Sequence, residues 1–366
     1  MYQWIDDATA LGTWMALRPA RTLIGLDTEF MRTNTFAPRL ALLQVHIDGA
    51  TALLDAPRLA GHVALAERLR DAAGVCVMHS ASEDLEALAA IVPEGPANLF
   101  DTQIAAAMAG LGFGLSYQKL VALLLGIDLP KSETRSDWLQ RPLSPAQLDY
   151  AAQDVAHLPE LHALLGEKLR ALDRSHWLAE DCRRMIERVR HAVPDSQPQR
   201  AFRAAADWSR DNQALLRRLL LWREASARAL DKPRPWLLDD AHALNLAAQP
   251  PANIDELFER TKGLRALRST QRTQLLALLR APLSDDDLAI APILPPMSNA
   301  EKRAASAMKE AVSKVATALD LPEGLLCSRR HLESLLTDRV WPAALDGWRR
   351  PLLHDALMAL LPRAEG

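Results

Sequence analysis

The chain has 366 residues, 49% of them hydrophobic and 24% charged, with a formal net charge of −3; this is too long for one ordinary domain, suits two or three, and excludes a disordered chain. The opening MYQWIDDATALGTW carries acids where a secretory signal has its basic region, and no stretch reaches the roughly 18 apolar residues of a membrane span, so a soluble cytoplasmic protein is expected. Three scattered cysteines, Cys76, Cys182 and Cys327, fit neither a disulfide framework nor a zinc site and are expected as small buried apolar side chains.

In chain order, RTLIGLDTEF, RLALLQVHID, TALLDA and GVCVMHS read as four short strands, each apolar and bounded by Gly, Pro or Asp. VALAERLRDA and SEDLEALAAI have helical periodicity, as does nearly everything after Thr102. The expected fold is an α/β domain that opens with a mostly antiparallel hairpin run and closes in helices. Asp101, in NLFDTQIAAA, is expected as a helix N-cap. The polar, Pro-containing HAVPDSQPQ at 191–199 reads as a linker, and a second break at 281–299 carries four prolines and three consecutive acids. Three domains follow, at 1–192, 200–285 and 295–366. The last two resemble one helical unit repeated: a long helix, a Pro-containing turn, a brief apolar stretch and another helix.

Charge is unevenly distributed. Residues 1–190 hold 18 basic and 24 acidic side chains, and 191–366 hold 25 and 22. Between Arg200 and Arg234 nine basic residues face four acids, with Trp208 and Trp222 among them, which makes this stretch a candidate phosphate-binding face; a solvated helix face is the equal alternative.

Five residues carry the chemistry. Asp27 and Glu29, two apart on a strand, project from one face and can share one cation. Tyr150 and Asp154, four apart on a helix, lie on one face a turn apart. With Asp84, four carboxylates and a phenol are available. Oxygen donors select Mg²⁺ or Mn²⁺, and a pair of such ions suits in-line displacement at a phosphodiester. Taken singly, each is ordinary: LDTEF as a turn or cap, Asp84 as a helix-terminus acid, Tyr150 with Asp154 as a solvated face. Their order and separations are the specific signal. GIDLPKS lacks the glycine that a phosphate loop needs before its lysine, so a nucleoside triphosphate site is rejected.

These motifs, LDTEF, HSASEDL and DYAAQDV, together with KSETRSDWLQRPLS, resemble ribonuclease D, of the tyrosine-bearing subgroup of the DEDD exonuclease superfamily. The two C-terminal segments resemble helicase-and-RNase-D C-terminal (HRDC) domains. The resemblance covers the whole chain. It implies a ribonuclease-H-like exonuclease domain with a mixed sheet and flanking helices, followed by two small all-α domains. It also implies two divalent ions (Mg²⁺ or Mn²⁺), with Asp27 bridging, Glu29 and Asp154 on one ion, Asp84 on the other, and Tyr150 orienting the attacking water. His157 lacks the spacing of the histidine used by another branch. The implied activity is 3′→5′ exoribonuclease action on transfer-RNA precursors and other small structured RNAs, releasing nucleoside 5′-monophosphates. Lys131, Arg135, Arg141 and His79 are candidate substrate contacts, although a hydrogen-bonded structural role is the commoner fate of a histidine placed like His79. A DNA-directed exonuclease would use the same acids, and a nucleic-acid-binding protein with a dead nuclease fold is the third reading.

Overall fold

The structure is a computed structural model that describes residues 1–19, 22–59, 63–130 and 136–362. The chain divides into two compact units: residues 1–31, 39–192 and 299–366 form the first, and residues 32–38 with 193–298 form the second.

The first unit is built on a six-stranded mixed sheet in the order β1-β4-β3-β2-β5-β6. Its strands are β1 (Tyr2–Ile5), β2 (Leu23–Met31), β3 (Arg39–Ile47), β4 (Ala50–Asp55), β5 (Val75–Met78) and β6 (Leu99–Asp101). The run β2–β3–β4 is antiparallel, while β1 on β4, β5 on β2 and β6 on β5 are parallel. The four strands expected from apolar runs are β2 to β5. The two edge strands were not expected, because three or four residues offer too little alternation to stand out from a loop.

Helices α1 (Ala8–Ala16), α2 (Val63–Arg70), α3 (Ser82–Leu88), α4 (Thr102–Met108), α5 (Tyr117–Leu125), α6 (Pro145–Ala156), α7 (Leu158–Ala171) and α8 (Ser175–Arg190) complete this part of the unit. Strands β3 and β4 are almost wholly buried, with Leu42, Leu43, Val45, Ala52, Leu53 and Leu54 at 0% exposure, as expected for central strands covered on both faces. Asp101 caps α4 through Gln103 N and Ile104 N, and it also accepts from Ser80 N and Ala81 N, so it ties the turn between β5 and α3 to the start of α4. Cys76, Cys182 and Cys327 are free and buried.

Residues 299–362 add α15 (Asn299–Ala318), α16 (Glu323–Leu326), α17 (Arg329–Asp338) and α18 (Arg350–Met358), counting on from the helices of the second unit. They pack on α8: Trp348 stacks on Trp177 with ring centroids 4.5 Å apart, and Arg349 forms a fork to Asp181 at 2.6 and 2.7 Å.

The second unit holds α9 (Arg210–Ala229), α10 (Arg234–Leu237), α11 (Asp240–Ala248), α12 (Ile254–Arg260), α13 (Ser269–Arg280) and α14 (Asp285–Leu288), around a core that includes Leu216, Leu219, Leu237, Leu246, Leu257 and Leu275. A 20-residue helix followed by a single-turn helix and then a third helix occurs in both C-terminal segments, α9–α10–α11 and α15–α16–α17, which matches the repeat expected from sequence.

Much of the basic run at 200–234 is engaged inside the second unit. Arg217 donates to the carbonyls of Ser196 and Asp286, and Arg218 forks to Asp287 and reaches three further carbonyls. Arg223 pairs with Asp240, Arg228 and Arg234 share Glu224, and Arg210 holds the Leu288 carbonyl. These guanidinium groups close the second unit on itself. Among the described residues no helix is long and apolar enough to cross a membrane.

Candidate active site

Strand β2 carries Asp27 and Glu29 toward α6, and α6 returns Asp154 to them. A capping box starts α6: Ser144 accepts from Gln147 N, Gln147 reaches back to Ser144 N, and Pro145 occupies the first turn. With its start fixed, the helix places Ala151 and Val155 in the core and Tyr150 and Asp154 on the face toward the carboxylates. One ligand oxygen each from Asp27, Glu29 and Asp154 lies within 4.8 Å of the others. Asp84, in the first turn of α3, is held by Thr28 Oγ1, which donates to Asp84 Oδ1 at 2.5 Å. The Tyr150 ring stands beside Trp138, with ring centroids 6.0 Å apart, one turn before Asp154 on the same face of α6.

The electrostatics follow from crowding. Burial, then the charges of Asp84, Asp154 and Glu29, raise the Asp27 carboxyl well above the usual carboxylate range. Burial and the fields of Asp154 and Asp84 push Glu29 up to about 8. Asp154 is raised to about 7 by burial, against the hydrogen bond from Tyr150, and Asp84 to about 6 by burial, against the bond from Thr28. The Tyr150 phenol is raised, first by burial and then by Asp154. Four acids that resist ionising together are the counterpart of a cation, and their all-oxygen donor set suits a hard divalent ion.

The five chemical residues are therefore brought together, but the candidate substrate contacts fare differently. Arg141 has five N–H donors, and all five have intramolecular acceptors: Asp55 takes Nε and one Nη2 bond, Ala41 O the other, and the carbonyls of Trp138 and Gln140 take Nη1. With Asp55 only 2% exposed, Arg141 anchors the segment before α6 to the sheet and has no donor left for a phosphate. His79 is likewise committed, Nδ1 to Thr102 Oγ1 at 2.9 Å and Nε2 to Leu115 O at 3.0 Å, so it braces the turn before α5. Lys131 and Arg135 lie outside the described residues. His157 serves at the α6–α7 junction through its backbone.

Two residues that pattern reading passed over touch this machinery. Thr28 sits between the two acids of β2, where its role as the holder of Asp84 has no sequence signature. Gln44 lies on β3 directly opposite Asp27, fully buried, with neither amide atom hydrogen-bonded among the described residues.

Comparison with known proteins gives a family pattern described as 3′-5′ exonuclease over residues 2–170, one described as HRDC domain over 212–278, and one described as the C-terminal HRDC domain of ribonuclease D over 301–357. The chain is 42% identical over 367 residues to the ribonuclease D of Xanthomonas oryzae pv. oryzae, covering 100% of both chains. It is 31% identical over 371 residues to that of Escherichia coli K12, covering 98% of each. Among solved structures, Escherichia coli RNase D, described as an exoribonuclease involved in structured RNA processing, superimposes with a TM-score of 0.86 at 30% identity over 98% of both chains. The catalytic core of RRP6 from Trypanosoma brucei shares the fold, with a TM-score of 0.63 at 21% identity over 76% of this chain and 79% of that one.

Proposed function

The chain belongs to the ribonuclease D family, and on that footing we propose that it is a 3′→5′ exoribonuclease that trims the 3′ ends of transfer-RNA precursors and other small structured RNAs, releasing nucleoside 5′-monophosphates. The observation that carries this reading is the convergence of Asp27, Glu29 and Asp154 on one point, with Asp84 held by Thr28 of the same strand and Tyr150 one turn from Asp154 on α6.

Asp27, Glu29, Asp84 and Asp154 are the residues that would hold two divalent cations, Mg²⁺ or Mn²⁺, with Asp27 shared between them. When bound, such ions lower the pKa of water and offset the charge of a phosphodiester under attack. Tyr150 is the orienting residue. Burial and the neighbouring Asp154 raise its phenol pKa, so it stays protonated at neutral pH, and its oxygen can accept a hydrogen bond from the attacking water without removing a proton.

The RNA grip falls on the second unit at the α12–α13 corner. From 260 to 284 the sequence has six basic residues and no acid. Arg260, Arg272 and Arg280 are engaged inside the unit. Lys262, Arg265 and Arg268 stay exposed, with Arg265 over Trp236 and the half-exposed Phe258 beneath Arg272. Exposed cations beside aromatic faces suit a phosphate backbone.

Digestion of a 3′-extended transfer-RNA precursor, with products resolved by size and terminus, tests the reading. Stepwise shortening and 5′-mononucleotides that vanish with EDTA are expected; internal cuts, or equal turnover of single-stranded DNA, would contradict it.

A further inference from the structure

In a continuous helix each amide donates to the carbonyl four residues earlier. Where Asp154 sits, one rung of that ladder is occupied by a side chain from elsewhere. His157 N, which would reach Gln153 O, lies 3.1 Å from Tyr117 Oη, and Tyr117 Oη donates to Gln153 O at 3.0 Å. The phenol hydroxyl is thus inserted between donor and acceptor, a recognised cause of a helix break. Pro159 in the first turn of α7 removes the N–H that would have served Val155 O. The helix divides here into α6 and α7, with His157 at φ −106°, ψ 5°.

The break lies against the metal-binding strand. A Cβ at Gly25 would stand 3.3 Å from Val155 O and 3.3 Å from Leu158 Cβ, so any side chain here would press the α6–α7 junction away from β2 by a few tenths of an ångström. Two residues further along β2 is Asp27, and one residue before Val155 is Asp154. The approach of the junction to the strand and the approach of the two carboxylates are consecutive contacts along the same pair of elements. Tyr117 is 6% exposed and is itself secured from behind: His79 holds the carbonyl of Leu115, two residues earlier, and meets the Tyr117 ring edge-on at 5.7 Å.

We propose that Tyr117 is a positioning residue of the active site: by inserting its hydroxyl into the Gln153–His157 rung it fixes where α6 ends and so sets Asp154 against Asp27. This rests on the reading of Asp154 as a metal ligand. Without the hydroxyl, His157 N closes on Gln153 O, the last turn of α6 regains helical pitch, and the Asp154 carboxylate is displaced from the cluster.

The test is Tyr117→Phe, which keeps the ring. Mn²⁺ affinity is measured by calorimetry on the full chain, and steady-state kinetics are measured on a transfer-RNA precursor. Mn²⁺ affinity is expected to fall about ten-fold, the usual cost of losing a group that orients a metal ligand, and kcat to fall by about the same factor while KM for RNA is unchanged. Wild-type Mn²⁺ affinity and kcat in Tyr117→Phe overturn the proposal. Asp154→Asn in the same titration separates the two levels. If it binds Mn²⁺ as the wild type does, the ligand reading fails and the proposal with it; if it loses affinity while Tyr117→Phe does not, only the positioning role is overturned. Should Tyr117→Phe fail to fold, Gly25→Ala presses on the same junction from the strand side. The same loss of Mn²⁺ affinity supports the proposal, and unchanged affinity overturns it.

Discussion

Thr28 Oγ1 donates to Asp84 Oδ1 at 2.5 Å, so the residue between the two acids of β2 holds the acid of α3. Thr28→Val keeps the shape and removes this bond. The bond favours the ionised carboxylate, so its loss raises the Asp84 pKa above its present value of about 6. Mn²⁺ binding by the variant should therefore need a higher pH than in the wild type, and kcat should fall about ten-fold. Metal titrations at several pH values read both; an unshifted pH dependence would show that Thr28 is only core.

The crowded carboxylates make stability depend on pH in a defined sense. Glu29 at about 8, Asp154 at about 7 and Asp84 at about 6 lie above the ordinary carboxylate range, so the native state holds more protons than the unfolded chain between roughly pH 4 and pH 8. Stability of the metal-free protein then falls as pH rises through that window. Thermal melts in EDTA should show a lower Tm at pH 8 than at pH 6. Added Mn²⁺ should raise Tm more at pH 8, because binding displaces fewer protons there. In EDTA at pH 8, Asp27→Asn should melt above the wild type, and it should lose the Mn²⁺ response.

Tyr150→Phe removes the phenol oxygen but none of the four acids. Turnover should drop by about two orders of magnitude, while Mn²⁺ still raises Tm. Loss of the phenol, which lowers the Asp154 pKa, also lets that pKa rise. A variant with normal kcat would remove the orienting role.

Replacing Lys262, Arg265 and Arg268 together by alanine should weaken structured-RNA binding and reduce the slope of log K against log salt by about one unit per lost phosphate contact. Cleavage of a dinucleotide, which has no structured body to be gripped, should be unaffected. An unchanged salt slope would move the RNA contact elsewhere.

The chemical residues were legible because their meaning lies in spacing: two apart on a strand, four apart on a helix. Hydrogen-bond satisfaction is not a spacing property, which is why Arg141 looked available and is not, whereas His79 takes the hydrogen-bonded structural role that is the commoner fate of such a histidine. The same limit hid the fate of the 200–234 arginines. A sequence shows a guanidinium but not the carbonyl it will cover, and Arg217 and Arg218 are almost wholly occupied by carbonyls at the start and end of their own unit.

Arg141 supplies a contrasting prediction. Arg141→Ala leaves Asp55 buried without its partner, which costs about 3 kcal/mol, and Arg141→Lys restores the charge but not the five-donor fork. Both should lower Tm, with the RNA salt slope unchanged. Denaturant midpoints and binding isotherms distinguish this from a phosphate contact.

The stack of Trp348 on Trp177 and the fork of Arg349 to Asp181 bear on how the protein can be dissected. Cutting the chain at the sequence boundary near residue 192 would strip an indole face and orphan a carboxylate on α8, creating a sticky, charged scar on the fragment that retains the nuclease centre. The final segment behaves as the missing side of that helix, and a minimal catalytic fragment would have to carry it along or have α8 resurfaced.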